Sequence, residues 1–165
     1  MSIYVNKFDY TGEMAERGAK AEDEFVSLIS KKLKIIPATW NEQVKSHIDY
    51  YVYTDEKYFT VDVKARKKFT NEDKDVWIEF KNVNGGDGWL YGKSTMIAFE
   101  RKEDFVLVNR NKLKDLCERI VDLDEKSNKH DCLYKAYTRQ GRKDVITKIQ
   151  FDDIFKNIEY TKLKK

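Results

Sequence analysis

The stretch His47-Ile48-Asp49-Tyr50-Tyr51-Val52-Tyr53-Thr54-Asp55-Glu56-Lys57-Tyr58-Phe59-Thr60-Val61-Asp62-Val63-Lys64-Ala65-Arg66-Lys67-Lys68 reads as two strands, 47–53 and 58–66, joined by the polar turn Thr54-Asp55-Glu56-Lys57. Each strand holds a carboxylate, Asp49 and Asp62, where an apolar residue would be ordinary. Two residues beyond the second lies Lys64, and strand side chains alternate, so Asp62 and Lys64 share one face. Two carboxylates with a neighbouring ammonium suit a divalent cation and a phosphodiester. A same-face Asp–Lys salt pair is the plainer reading of Asp62 and Lys64 taken alone.

Working outward, Glu13 to Lys34 has a helical pattern. Phe25, Leu28, Ile29 and Leu33 recur at three- and four-residue steps against a charged opposite face, which carries Glu22-Asp23-Glu24. Gly18 inside this pattern marks either the true helix start or a close approach of another backbone. Ile35 to Trp40 reads as a short strand broken at Pro37, and Asn41 to Ser46 as a loop. After the hairpin come a strand at 76–81, the glycine-rich loop 82–92, strands at 95–100 and 104–109, and a helix from about Asn111 to Leu123. Residues 124–131 read as a polar loop. A third hairpin pairs 132–137 with 145–151, and a helical turn at 152–158 precedes a basic tail. The expectation is an α/β protein: a mixed central sheet flanked by helices in a single domain over 1–165, with its core at about 13–123 and a C-terminal hairpin extension at about 132–158.

The 165 residues are 41% hydrophobic and 37% charged, which suits a polar globular chain and excludes a disordered one. A net charge of +3 means that any nucleic-acid affinity depends on local clustering of the 32 basic residues. Cys117 and Cys132 form no Cys-x-x-Cys pair, and His47 and His130 offer no zinc spacing. No apolar run is long enough for a transmembrane helix, and Met1–Lys7 lacks the apolar core of a signal peptide. A reduced, cytoplasmic protein with no membrane partner is expected.

Asp-x-Lys or Glu-x-Lys occurs six times, so the motif alone carries little; only Asp62-Val63-Lys64 and Glu79-Phe80-Lys81 lie well inside strands. The first is preceded by Asp49 on the neighbouring strand and by the acid-bearing helix. Arg17-Gly18-Ala19-Lys20-Ala21-Glu22, then Ile48-Asp49, then Asp62-Val63-Lys64 resembles the PD-(D/E)XK nuclease superfamily, the fold of many restriction enzymes and of archaeal-type Holliday-junction resolvases. Ile48 stands where the family has proline. A shifted register, with Asp62 as the lone aspartate and Glu79-x-Lys81 as the motif, stays open. The resemblance covers roughly residues 15–123. It implies a restriction-endonuclease-like sheet and a Mg²⁺-dependent DNA endonuclease, with Mn²⁺ able to substitute and a homodimer as one possible assembly. It also implies Asp49 and Asp62 as metal ligands, Glu22 as ligand or supporting acid, and Lys64 as the group that orients the water or stabilises the developing charge.

Some phage- and bacterium-encoded nucleases of this kind carry a run similar to Glu79-x-x-Asn82 … Gly88-Trp89-Leu90. Glycines there let backbone N–H groups approach a phosphate, and Trp89 or Tyr91 could stack on an unpaired base; a structural turn with Trp89 in the core is the alternative. Lys20, Arg66, Lys67 and Lys68 at the rim of the site suit phosphate contacts, as do Arg139, Arg142 and Lys143 at a hairpin tip. A solvated charged surface is the alternative for both clusters. His47 is an extra ligand, a general base or a hydrogen-bonded bystander. Two other functions compete: a catalytically silent DNA-binding protein of the same fold, and an interaction or inhibitor protein whose acidic helix and tyrosine-rich strands meet a protein partner.

Overall fold

The computed structural model describes residues 12–67 and 73–165, so Lys68 lies outside the described residues. The fold is mixed α/β, and the described chain forms two compact units. The first comprises residues 12–67, Ser94–Leu107 and Thr161–Lys165; the second comprises residues 73–93 and Val108–Tyr160.

The first unit is a sheet in the order β1 (Lys34–Pro37), β2 (Tyr50–Tyr53), β3 (Tyr58–Lys64), β5 (Met96–Glu100), β6 (Asp104–Asn109) and β10 (Tyr160–Lys164). β2–β3 pair antiparallel, as the hairpin reading expected; β1–β2 also pair antiparallel, and β3–β5 pair parallel. Helix α1 (Glu13–Ile29) packs on one face. Its Ala21, Phe25 and Ile29, one turn apart, meet Tyr50, Val52, Val61, Val63, Ala98 and Phe105. Glu13–Arg17 and Glu16–Lys20 pairs span its first turns, each with the acid N-terminal to the base, which is the favourable order. Gly18 is mid-helix, and among the described residues a Cβ there would meet nothing within 4 Å, so none of their backbone approaches it.

The helix ends at Ile29, not Lys34, because Lys32 and Leu33 both donate to the Ile29 carbonyl and turn the chain into β1. Residues 41–46, expected as loop, lie in helix α2 (Trp40–Ser46). A reciprocal cap holds α2: Thr39 accepts from the Glu42 N–H, and Glu42 accepts from the Thr39 N–H. The basic tail contributes β10, whose Leu163 packs on the core.

In the second unit β4 (Asp75–Lys81) pairs antiparallel with β9 (Val145–Gln150). The long-range pairing takes the place of the expected third hairpin, whose two stretches are joined among the described residues by the antiparallel bridge Tyr137–Ile146 and the parallel bridge Leu133–Lys148. Helix α3 (Arg110–Ile120), capped by Asn109, and helix α4 (Phe151–Asn157) bury Leu113, Leu116 and Ile154. Leu123, expected on α3, falls in β7 (Asp122–Lys126), which runs parallel to β8 (Lys135–Ala136). Between β4 and the 3-10 turn Trp89–Tyr91, Gly88 is obligatory, since a Cβ would lie 2.4 Å from the Glu79 carbonyl oxygen. Among the described residues no helix is long and apolar enough to cross a membrane.

Candidate active site

The alternation of β3 sends Phe59, Val61 and Val63 into the α1 core, so Tyr58, Thr60, Asp62 and Lys64 project from the opposite face. Asp62 is 2% exposed. The Lys64 Nζ lies 2.8 Å from Asp62 Oδ1. Asp49 precedes β2 and brackets Asp62: its N–H donates to the Val61 carbonyl at 2.8 Å, and its Oδ2 accepts from the Val63 N–H at 2.7 Å. The Asp49 and Asp62 carboxyls meet each other, and among the described residues Asp62 Oδ2 has no hydrogen-bond donor. Glu22, on α1, comes within electrostatic reach of Asp49 and Lys64, and accepts a long 3.4 Å contact from the Tyr50 hydroxyl.

Burial raises the Asp62 carboxyl well above its usual range; Asp49 adds to this and Lys64 opposes it. Burial likewise raises Asp49 against the pull of Lys64 and the Val63 N–H. Glu22 is pushed up to about 7 by burial and then by the Asp49 charge. Two buried carboxylates that meet each other repel, and a proton or a cation between them relieves that repulsion.

These shifts make a stability prediction. A carboxyl whose folded-state pKa exceeds its unfolded one adds stability below the unfolded value and loses it as pH rises through the folded value. All three shifts are upward, so metal-free protein should weaken as pH climbs from the ordinary carboxylate range through about 7. Carboxyls lowered by partners, such as Asp104 beside Arg101, have delivered their stabilisation at lower pH. Urea midpoints in EDTA should fall between about pH 5 and about pH 8, and Glu22→Gln should flatten part of that fall. A flat or rising profile contradicts the cluster.

The structure brings Glu22, Asp49, Asp62 and Lys64 together in the first unit. Lys20 and Lys67 are exposed there, and the Arg66 N–H donates to Glu100 Oε1 at 2.9 Å. Trp89 needs correction: it is 8% exposed, its N–H donates to Glu79 Oε1, and its ring is not available as a stacking platform. Nor is the glycine loop a phosphate cradle, because the N–H groups of Asn84, Gly85, Gly86 and Gly88 donate to Asn82 and Phe80. Glu79 is an organiser of that loop. At the hairpin tip, the Arg139 Nε lies 2.6 Å from the buried Asp144 carboxylate, so this guanidinium is structural. His47 is the left-handed C-cap of α2, with φ 52°.

Tyr50 and Glu100 were not anticipated. Tyr50 adjoins Asp49 and reaches Glu22; Glu100 orders the chain that leaves Lys64. The strand alternation around Asp49 contained the first signal; nothing local signalled the second.

An all-oxygen donor set suits a hard cation such as Mg²⁺. The buried Asp62 carboxylate, which meets Asp49 and whose Oδ2 has no donor among the described residues, fits one. Among the described residues no trio of His, Cys, Asp or Glu stands close enough to form a ready cage, so the fit rests on the aspartate pair with Glu22 nearby. No protein-family model, no curated protein and no solved structure matches the chain.

Proposed function

We propose that this protein is a Mg²⁺-dependent DNA endonuclease of the PD-(D/E)XK type. The observation that carries the reading is the buried Asp49–Asp62 pair, with an oxygen on Asp62 that has no donor among the described residues and the Lys64 ammonium 2.8 Å from its other oxygen. Asp49 and Asp62 would hold the cation, with Glu22 as the third acid. Bound there, Mg²⁺ would supply Lewis acidity to a water and to the phosphodiester. Lys64 presents a positive charge where negative charge develops on the phosphate, on a strand that cannot reorient. Asp49 is held by two backbone bonds, so the pair is preorganised.

A catalytically silent DNA-binding protein is the second reading, since Arg66 and Lys67 beyond Lys64 could hold a phosphate backbone with or without a metal. The experiment is incubation with supercoiled plasmid, linear duplex, single strand, flap and four-way junction, each with Mg²⁺, Mn²⁺ or EDTA. Metal-dependent cleavage supports the nuclease. Binding without cleavage under any metal moves the function to the silent binder, and neither binding nor cleavage moves it to a protein partner.

A further inference from the structure

An open cleft of about 560 Å³ lies in the first unit, between the first turns of α1 and the chain ends that follow β3 and β5. Among the described residues six cations line it: Arg17, Lys20, Arg66, Lys67, Lys102 and Lys165. Three carboxylates stand among them there, and each is engaged. Glu13 pairs with Arg17 at 3.1 Å, and Glu16 with Lys20 at 3.1 Å. Glu100 accepts from the Arg66 N–H at 2.9 Å and meets the Lys165 Nζ at 3.3 Å. Lys165 also reaches Glu24 at 3.1 Å, which ties α1 to β5 across the cleft.

We propose that this cleft is an interface for a phosphodiester backbone, contacted without reading of bases. The proposal rests on the nuclease reading for its choice of polyanion, and it adds Arg17, Lys102 and Lys165 to the contacting set. Three observations support it. First, the cleft adjoins the candidate site in the chain: Arg66 is two residues beyond Lys64, and Lys20 two before Glu22. Second, Glu100 faces two bonded donors and so adds little repulsion toward an anion. Third, the Glu16–Lys20 pair has side chains 67% and 75% exposed, so it binds weakly and can be exchanged for a phosphate at little cost. Arg17 can offer a phosphate two N–H donors at once, a stronger bond than its single contact with Glu13. Contacts of this kind fix position and carry no base readout. Glu13 and Glu16 thereby become internal competitors of the ligand.

The test is binding of labelled duplex and labelled single strand in EDTA over a range of salt, with thermal midpoints confirming folding. Arg17→Gln and Lys102→Gln should each weaken binding several-fold for every sequence tried. Each should also reduce the salt slope, by about 0.9 on duplex or about 0.7 on single strand. Glu16→Gln should tighten binding. Lys112→Gln, on α3 outside the cleft, should do neither. The probe that binds more tightly, and whose binding falls more in the two cation variants, identifies whether duplex or single strand occupies the cleft.

Unchanged slopes in both cation variants, an equal loss in Lys112→Gln, weaker binding in Glu16→Gln, or no binding of either probe overturns the proposal. Metal-dependent cleavage with unaltered binding by the cleft variants removes the cleft and keeps the nuclease. Cleft-dependent binding with no cleavage under any metal removes the nuclease and keeps the cleft.

Discussion

Asp62→Asn should abolish metal-dependent cleavage, by about a thousandfold or more, and should make the metal-free protein more stable. Asp62 is buried, its carboxyl meets that of Asp49, and its Oδ2 has no hydrogen-bond partner among the described residues. An amide in place of this carboxylate brings a donor to a pair of carboxyls that meet each other, while its oxygen can still accept from Lys64. Removing a buried unsatisfied group in this way should add about 1–2 kcal/mol at neutral pH. The gain should shrink in acid, where a proton already bridges the pair. Asparagine cannot supply the negative charge a hard cation needs, so the function is lost as the fold improves. A functional site that weakens its own protein is a common compromise. Measured together, cleavage rates and urea midpoints separate the possibilities. A variant that cuts normally removes Asp62 from the chemistry. One that is inactive but destabilised makes the pair an ordinary structural element.

How far the sequence showed this arrangement depends on the range of the interactions involved. The β2–β3 hairpin and the shared face of Asp62 and Lys64 follow from local alternation, which is a short-range rule. The core stripe of α1 follows from its period for the same reason. Helix α2 was missed because Trp40–Ser46 has no apolar face turned to a core; its cap holds it, and the Thr39-x-x-Glu42 signature was present to be read. Strand β10 contributes one packed residue, Leu163, to a pairing with a strand some fifty residues earlier, and no local pattern names that partner. The same holds for β9, which alternates as a hairpin strand should but finds β4. Charge was the least legible property. Arg139 and Arg66 look alike in sequence, yet one is bonded to a buried carboxylate and the other lines an open cleft.

Phe25→Ala should lower stability by about 3–5 kcal/mol, the usual cost of emptying a buried aromatic site. Phe25 is fully buried and meets Phe105 edge-to-face, with ring centroids 5.4 Å apart and planes at 70°. It lies three residues beyond Glu22 and between Ala21 and Ile29 on the stripe that seats α1, so it fixes the helix that carries the third acid. A loss of that size is a large share of the roughly 5–15 kcal/mol that holds a domain together. Part of the chain should therefore unfold at moderate temperature, and cleavage should fall with it. The loss differs in kind from that of Asp62→Asn. Cooling should restore cleavage in Phe25→Ala as the folded fraction returns, and Phe25→Leu should retain most of both properties because it leaves a smaller cavity. Neither treatment should restore Asp62→Asn, which lacks a ligand and not a fold. If chilled, folded Phe25→Ala still fails to cut, the seating of α1 sets the chemistry directly through Glu22. If it cuts normally once folded, the loss is one of stability alone, and Glu22 keeps its place beside Asp49.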